Sequence, residues 1–232
     1  MKTTLLILSK NEIEGLKLEL PRIKREWVDQ ILVVDNSNDG SAEYATSMGC
    51  EVYRQLTTGL RHAYQEVWPL IKGDWVITYS PDGNSPPEYI PQLINKMKEG
   101  YDMVIGSRYH NGDWKSEDDG IVTAFGNWLF KTVINFLFNF KYTDAMTMYR
   151  IYKKDLFYTL DLNKDSTYYK FEKLFFTKIG VEPILSTRFA KNKLNLGEIY
   201  CREPVRVGGK RKLQVIRWGL AYMGQVLYEK IR

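Results

Sequence analysis

The sequence predicts an α/β fold in which a mostly parallel central sheet is flanked by helices. Three observations carry that prediction. Short apolar runs recur at residues 3–8, 31–34, 51–53, 75–79 and 103–106. Stretches of helical periodicity, about 10 to 15 residues long, separate them. Most of the runs end in polar turn formers. Strands that alternate with helices join through right-handed crossovers into parallel βαβ units. In such an open sheet, ligands gather beyond the carboxyl ends of the strands, so an acid just past a strand end is a candidate site residue.

Taken in order, residues 3–8 form a strand that stops at Ser9-Lys10-Asn11-Glu12, and Ile13, Leu16, Leu20 and Ile23 then recur at helical spacing, with Pro21 restarting the helix. The strand at 31–34 closes on Asp35-Asn36-Ser37-Asn38-Asp39-Gly40-Ser41. A helix to about residue 48, a strand at 51–53 and a helix at 59–70 lead to the central run Trp75–Tyr79, whose β-branched and aromatic residues mark a buried strand. It breaks into Ser80-Pro81-Asp82-Gly83-Asn84, a cluster of turn formers that leaves Asp82 at a strand end. Pro86, Pro87 and Glu88 fit the first turn of a helix running to about residue 100, because that turn needs no amide donor and its dipole favours an acid. Asp82 and Asn84 present hard oxygen ligands one residue apart, a set suited to Mg2+ or Mn2+ alongside substrate phosphates.

After Tyr109 the pattern changes. Residues 110–120 are polar and acidic, as in a mobile loop. Residues 125–140 form a helix with more aromatic surface than one core face requires; it is either a core helix or one lying in a membrane interface. A strand is expected over 146–152, a loop over 161–168, a helix carrying Glu172 over 169–179, and strand-like pieces at 181–186 and 199–207. An amphipathic helix with basic flanks closes the chain over 213–232. With no repeat or linker, the 232 residues read as one domain, comprising a ligand-binding half (1–109) and an acceptor-side half (110–232).

Composition narrows the function classes. Hydrophobic residues make up 44% of the chain and aromatics 14%, as in a folded protein. The net charge of +5 favours anionic partners, but no nucleic-acid recognition motif accompanies it. Two cysteines, Cys50 and Cys201, offer neither a disulfide framework nor a metal pair, which points to a reducing cytoplasmic setting. No signal peptide is evident, and no run approaches the roughly 18 to 20 apolar residues of a membrane span.

Together, and in this order, several blocks resemble the family 2 glycosyltransferases of GT-A fold, in particular the branch that includes dolichyl-phosphate mannose synthase. Asn11-Glu12 is similar to the family's Asn-Glu. Residues 33–41 are similar to its Val-Val-Asp-Asp-Gly-Ser-x-Asp-Gly-Ser, and residues 80–88 to Asp-Ala-Asp-x-Gln-His-Pro-Pro-Glu. Val104-Ile105-Gly106-Ser107-Arg108-Tyr109 matches a further block, as do Thr143-Asp144 with Tyr149-Arg150, and Arg206 with Gly209 and Lys212. The resemblance covers nearly the whole chain.

The resemblance implies a metal-dependent, inverting transfer of a sugar from a GDP- or UDP-linked donor to a lipid-linked or glycan acceptor at the cytoplasmic membrane face, in cell-surface polysaccharide biosynthesis. Asn11, Glu12 and Asp35 would contact the nucleoside, and Asp82 and Asn84 would hold the Mg2+ or Mn2+ ion. Arg206 and Lys212 would close on the diphosphate, and Arg108 would hold the acceptor. Glu172 or Asp144 would be the general base that a hydroxyl acceptor requires.

Two departures matter. Ser80 replaces the first acid of the usual Asp-x-Asp, so a catalytically weakened homologue that binds nucleotide sugar or glycan as a partner subunit is the alternative reading. The arginine that holds the lipid phosphate in the dolichyl-phosphate branch is missing from residues 118–123, which brings a glycan hydroxyl forward as the competing acceptor. The oligomeric state is not encoded in any of these motifs.

Overall fold

The computed structural model describes residues 1–109, 116–118, 120–207 and 215–232. Its centre is a seven-stranded sheet. The strands are β1 (Thr3–Ser9), β2 (Gln30–Asp35), β3 (Glu51–Arg54), β4 (Trp75–Tyr79), β5 (Met103–Ser107), β6 (Arg150–Lys153) and β7 (Leu196–Tyr200), and they lie in the order β3-β2-β1-β4-β6-β5-β7. β1 pairs in parallel with β2 and β4, β2 with β3, and β5 with β7, while β6 runs antiparallel to both β4 and β5. The mostly parallel sheet expected from the sequence is therefore present.

Alternation along the strands divides the core. Leu5, Ile7, Val33, Ile77, Tyr79 and Ile151 face α1 (Ile13–Glu19), α2 (Ser41–Ser47) and α4 (Ile90–Met97). Leu6, Leu8, Leu32, Val34, Val76, Met103, Ile105 and Tyr152 face the other layer, formed by α3 (Leu60–Val67), α5 (Ile121–Phe138), α6 (Leu156–Thr159), α7 (Tyr169–Phe175), α8 (Val181–Lys191) and α9 (Val215–Ile231). A strand covered on both faces favours an unbroken apolar run, and all seven residues of β1 are buried. Each fully buried Leu, Ile or Val contributes about 1.5–3 kcal/mol.

Register decides where the functional residues meet. Ser9 lies opposite Asp35 and Ile7 opposite Tyr79, so β1, β2 and β4 end at one edge. Because β6 runs the other way, with Arg150 beside Thr78 and Ile105, the chain approaching it (143–149) arrives at that same edge.

Several expectations need correction. The 181–186 segment is helical, the start of α8, in which every residue from Val181 to Ala190 is buried. A helix buried on all sides loses the polar stripe that distinguishes it from a buried strand. The last strand lies at Leu196–Tyr200 rather than 199–207. α7 stops at Phe175 because Phe176 turns left-handed, with φ 50°. The view that no stretch reaches membrane-span length also fails: α5 has 18 residues and is long and apolar enough to cross a membrane by length and composition. Asn127, Lys131 and Asn135 interrupt the run without removing its overall apolar character. Asn135 in fact serves the fold, donating to Tyr142 O (2.9 Å) and accepting from Tyr142 N (2.8 Å).

Two features of α1 matter for the neighbouring β4 turn. A methyl group at Gly15 would lie 1.8 Å from the carbonyl oxygen of Pro81, so α1 approaches the turn as closely as it does only because Gly15 has no side chain. Gly15→Ala should cost about 1–3 kcal/mol, read as a lower midpoint in urea unfolding. One turn on, Glu19 is 1% exposed, and among the described residues neither carboxyl oxygen has a hydrogen-bond partner. Burial pushes its pKa up to about 8, while the nearby Tyr79 hydroxyl pulls the other way. The folded chain thus keeps a proton that the unfolded chain releases near 4.5. Glu19 consequently lowers stability as pH rises from about 4.5 through about 8. Urea midpoints at pH 6 and 8.5 should fall less for Glu19→Gln than for the wild type.

Candidate active site

The site is built on the turn after β4. Gly83 takes φ +88°, and a side chain there would meet Val207 Cγ2 at 2.8 Å. Tyr79 donates its hydroxyl to Ser85 O (2.5 Å) and Tyr149 donates to Pro86 O (3.1 Å), so two core tyrosines fix the far end of the turn. Asp82 is held above them, 7% exposed. Its carboxylate accepts from the Asn84 amide (3.4 Å) and lies 3.4 Å from Arg206 Nη1, while its carbonyl accepts from Val207 N (2.9 Å). Burial pushes the Asp82 pKa up, and the Arg206 charge partly offsets this. Asn84 Oδ1 accepts from Ser85 Oγ at 3.2 Å.

Asp82 and Asn84 line a cavity of about 390 Å³ together with Glu12, Ser80, Arg108 and Arg206. These two residues suit a divalent ion of the kind that keeps water and takes phosphate oxygens, and the guanidinium beside Asp82 marks the position as one that accepts positive charge. Among the described residues, no group of three or more His, Cys, Asp and Glu gathers around a common point.

The other residues proposed from the sequence divide into those at this cavity and those away from it. Asn11 follows β1 with φ 56°, and its amide donates to Ser37 Oγ (2.6 Å). Asp35 is 1% exposed; it accepts from Ser37 Oγ (2.7 Å), Ser37 N (3.1 Å) and Arg54 Nη1 (3.0 Å). Arg108 forks onto Asp144, with Nε to Oδ2 at 2.6 Å and Nη2 to Oδ1 at 3.0 Å, and reaches Glu203 at 3.3 Å. Asp144 is fully buried and lines neither this cavity nor the next. Burial pushes its carboxyl up, but Arg108 and the Met146 amide outweigh that and hold it below the usual range.

Glu172 sits elsewhere. It accepts from Arg61 Nη1 (2.7 Å) and Ile179 N (2.9 Å) and lines a second cavity of about 470 Å³. The two cavities share Met146, Met148 and Trp218 as a common wall. Lys212 and Gly209 lie outside the described residues, as does most of the 110–120 loop.

Some partners were not foreseen. Asp118 takes Arg206 Nε (3.1 Å) and Nη2 (2.6 Å) on one carboxylate oxygen. Glu203 accepts from Arg108 and Ser116, and Arg61 neutralises Glu172. The acidic run 117–119 was the only trace of this in the sequence, and nothing in its spacing points to a basic residue 88 positions away.

Residues 7–161 match the family described as Glycosyl transferase family 2. The chain is 27% identical over 137 residues to a dolichyl-phosphate hexose transferase of Haloferax volcanii, covering 59% of each protein. It is 31% identical over 121 residues to a dolichol-phosphate mannosyltransferase of Pyrococcus furiosus, covering 48% of this chain and 38% of the relative. Thus it matches well under two thirds of the length of these relatives. Among solved structures, glucosyl-3-phosphoglycerate synthase from Mycobacterium tuberculosis, in complex with Mn2+, UDP and glucosyl-3-phosphoglycerate, superposes with a TM-score of 0.64. The alignment is 15% identical and covers 99% of this chain and 79% of the other. That likeness concerns the fold alone. The match across 7–161, on a sheet that presents its acids at one edge, shows that the chain belongs to glycosyl transferase family 2 and has the GT-A fold.

Proposed function

We propose that this protein transfers a sugar from a GDP- or UDP-linked donor to a lipid-linked or glycan acceptor, with inversion, at the cytoplasmic face of a membrane. The observation that carries the reading is Asp82: a buried carboxylate at the end of the central strand, opening on a cavity that Glu12, Arg108 and Arg206 also line. Glu12 lines the same cavity, and Asn11 and Asp35 lie at the same sheet edge, where a nucleoside would be received. A divalent cation, Mg2+ or Mn2+, held by Asp82 and Asn84 would supply the charge that stabilises the departing diphosphate. Arg206 adds a hydrogen-bonding cation to that leaving group, and Lys212 belongs to the same basic segment. Relatives that act on dolichyl phosphate support a lipid-linked acceptor.

The bond that breaks joins the anomeric carbon to the diphosphate oxygen, and the acceptor oxygen bonds to the opposite face of that carbon. A phosphate acceptor is already an anion and needs no base, whereas a hydroxyl must lose its proton. Of the two carboxylates considered for that task, Glu172 faces a cavity and Asp144 does not. Glu172 lines the second cavity rather than the one beside Asp82, so it would serve as the base for a hydroxyl presented across the shared wall of Met146, Met148 and Trp218, and Asp144 positions Arg108, which lines the donor cavity and would meet the acceptor. Ser80 keeps a second reading open, a donor-binding subunit with little turnover of its own.

Asp82→Asn should lower transfer by about a hundredfold or more. Product formation from radiolabelled UDP- and GDP-sugars on a polyprenyl phosphate measures it, and wild-type turnover in the variant refutes the role. Nucleotide binding by calorimetry without any transfer by the wild type would favour the binding subunit.

The membrane side of the reading rests on α5, where Ile121 is 90% and Phe136 85% exposed, with Phe125, Trp128 and Leu129 also exposed. α9 packs against α5 and exposes Leu220, Leu227 and Ile231. Lys131, Arg217 and Lys230 lie on the same two helices, an arrangement suited to anionic lipid. Wild type should float with phosphatidylglycerol-containing liposomes, and a Trp128→Glu, Phe136→Glu variant should stay at the bottom of the gradient. Equal flotation would reject lipid docking.

A further inference from the structure

We propose that Asp118 restrains donor binding by competing with the nucleoside diphosphate for Arg206. The inference rests on the donor reading above. Arg206 is only 23% exposed and stands between two carboxylates, those of Asp82 and Asp118, which are 9% and 8% exposed. Its contacts with the two acids are unequal. The edge carrying Nε and Nη2 is committed to Asp118, at 3.1 and 2.6 Å, while Nη1 alone approaches Asp82, at 3.4 Å. That committed edge presents two parallel N–H groups, the arrangement that suits a phosphate. A diphosphate entering the cavity must take this edge from Asp118 or accept the weaker remainder.

A diphosphate that takes the Nε and Nη2 edge displaces Asp118 from Arg206. Arg206 thereby exchanges carboxylate partners for phosphate partners, and Asp118 sets the cost of that exchange. The burial of the Arg206–Asp118 pair keeps it from being screened as a surface pair would be.

Asp118 is delivered by a strap. Residues 116–118 lie along residues 202–207: Glu117 N donates to Glu203 O (3.0 Å), Arg202 Nε donates to Glu117 Oε1 (2.6 Å), and Val207 N donates to Asp82 O (2.9 Å). The Arg202–Glu117 pair is exposed and touches neither Arg206 nor Asp82, so it provides a control for strap integrity.

The test is calorimetric titration of UDP and of GDP, separately and in EDTA, into the full chain. Asp118→Asn keeps the side-chain shape and removes the charge. It should tighten the nucleotide that wild type binds by about tenfold. Asp118→Ser, with a smaller side chain, should do the same, which guards against a folding defect of the first variant. In an Arg206→Gln background Asp118→Asn should change nothing, and Glu117→Gln should leave the affinity where it was. Unchanged or weaker binding in both Asp118 variants overturns the inference while leaving the donor reading intact, as does a tightening that persists without Arg206 or is matched by Glu117→Gln. If neither nucleotide binds wild type or any variant, the donor reading itself falls, and this inference with it.

Discussion

The structure depends on a buried carboxylate that must be matched by positive charge. Asp82 lies at the end of the central strand, 7% exposed. Burying an ionised carboxylate is costly unless a cation or several donors compensate. Here the compensation is Arg206, brought by a segment that is far away in the sequence. The turn is fixed from one side by Tyr79 and Tyr149, and α1 touches it closely because Gly15 lacks a side chain. Asp82 is therefore preorganised by the fold before any ligand arrives.

The same logic recurs two strands over. Arg108 at the end of β5 is fixed by Asp144, which lies on the approach to the antiparallel β6. Had β6 run parallel to its neighbours, residues 143–149 would have arrived at the opposite edge, and the wall of Met146, Thr147 and Met148 would be missing. One reversed strand thus converts an open sheet edge into a cavity. Arg61 and Glu172 form a third buried pair, joining α3 to α7 beneath the second cavity. Each of these pairs ties a residue of the first half of the chain to one of the second, so the site and the packing of the two halves are parts of one design.

A sheet covered on both faces uses much of the apolar content, yet α5 and α9 leave large hydrophobic residues outside the core. A soluble monomer rarely exposes apolar side chains in such density. On these two helices the exposed apolar residues stand beside Lys131, Arg217 and Lys230.

The strands and most of the helices were legible in the sequence because periodicity is a local property: β1, β2, β4 and β5 are continuous apolar runs, and the turn formers after them mark the strand ends that share one edge of the sheet. Asp82, Glu12 and Asp35 could be singled out for that reason. α8 was misread because a helix buried all round shows no polar stripe, and α5 was underestimated because a few polar residues broke a count of consecutive apolar ones. The pairing of the charges was decided by tertiary structure alone. Which acid meets Arg206, Arg108 or Arg61 depends on where distant segments come to rest, 88, 36 and 111 residues away. The chain specifies its elements through short-range sterics and burial, and its electrostatics only once those elements have packed.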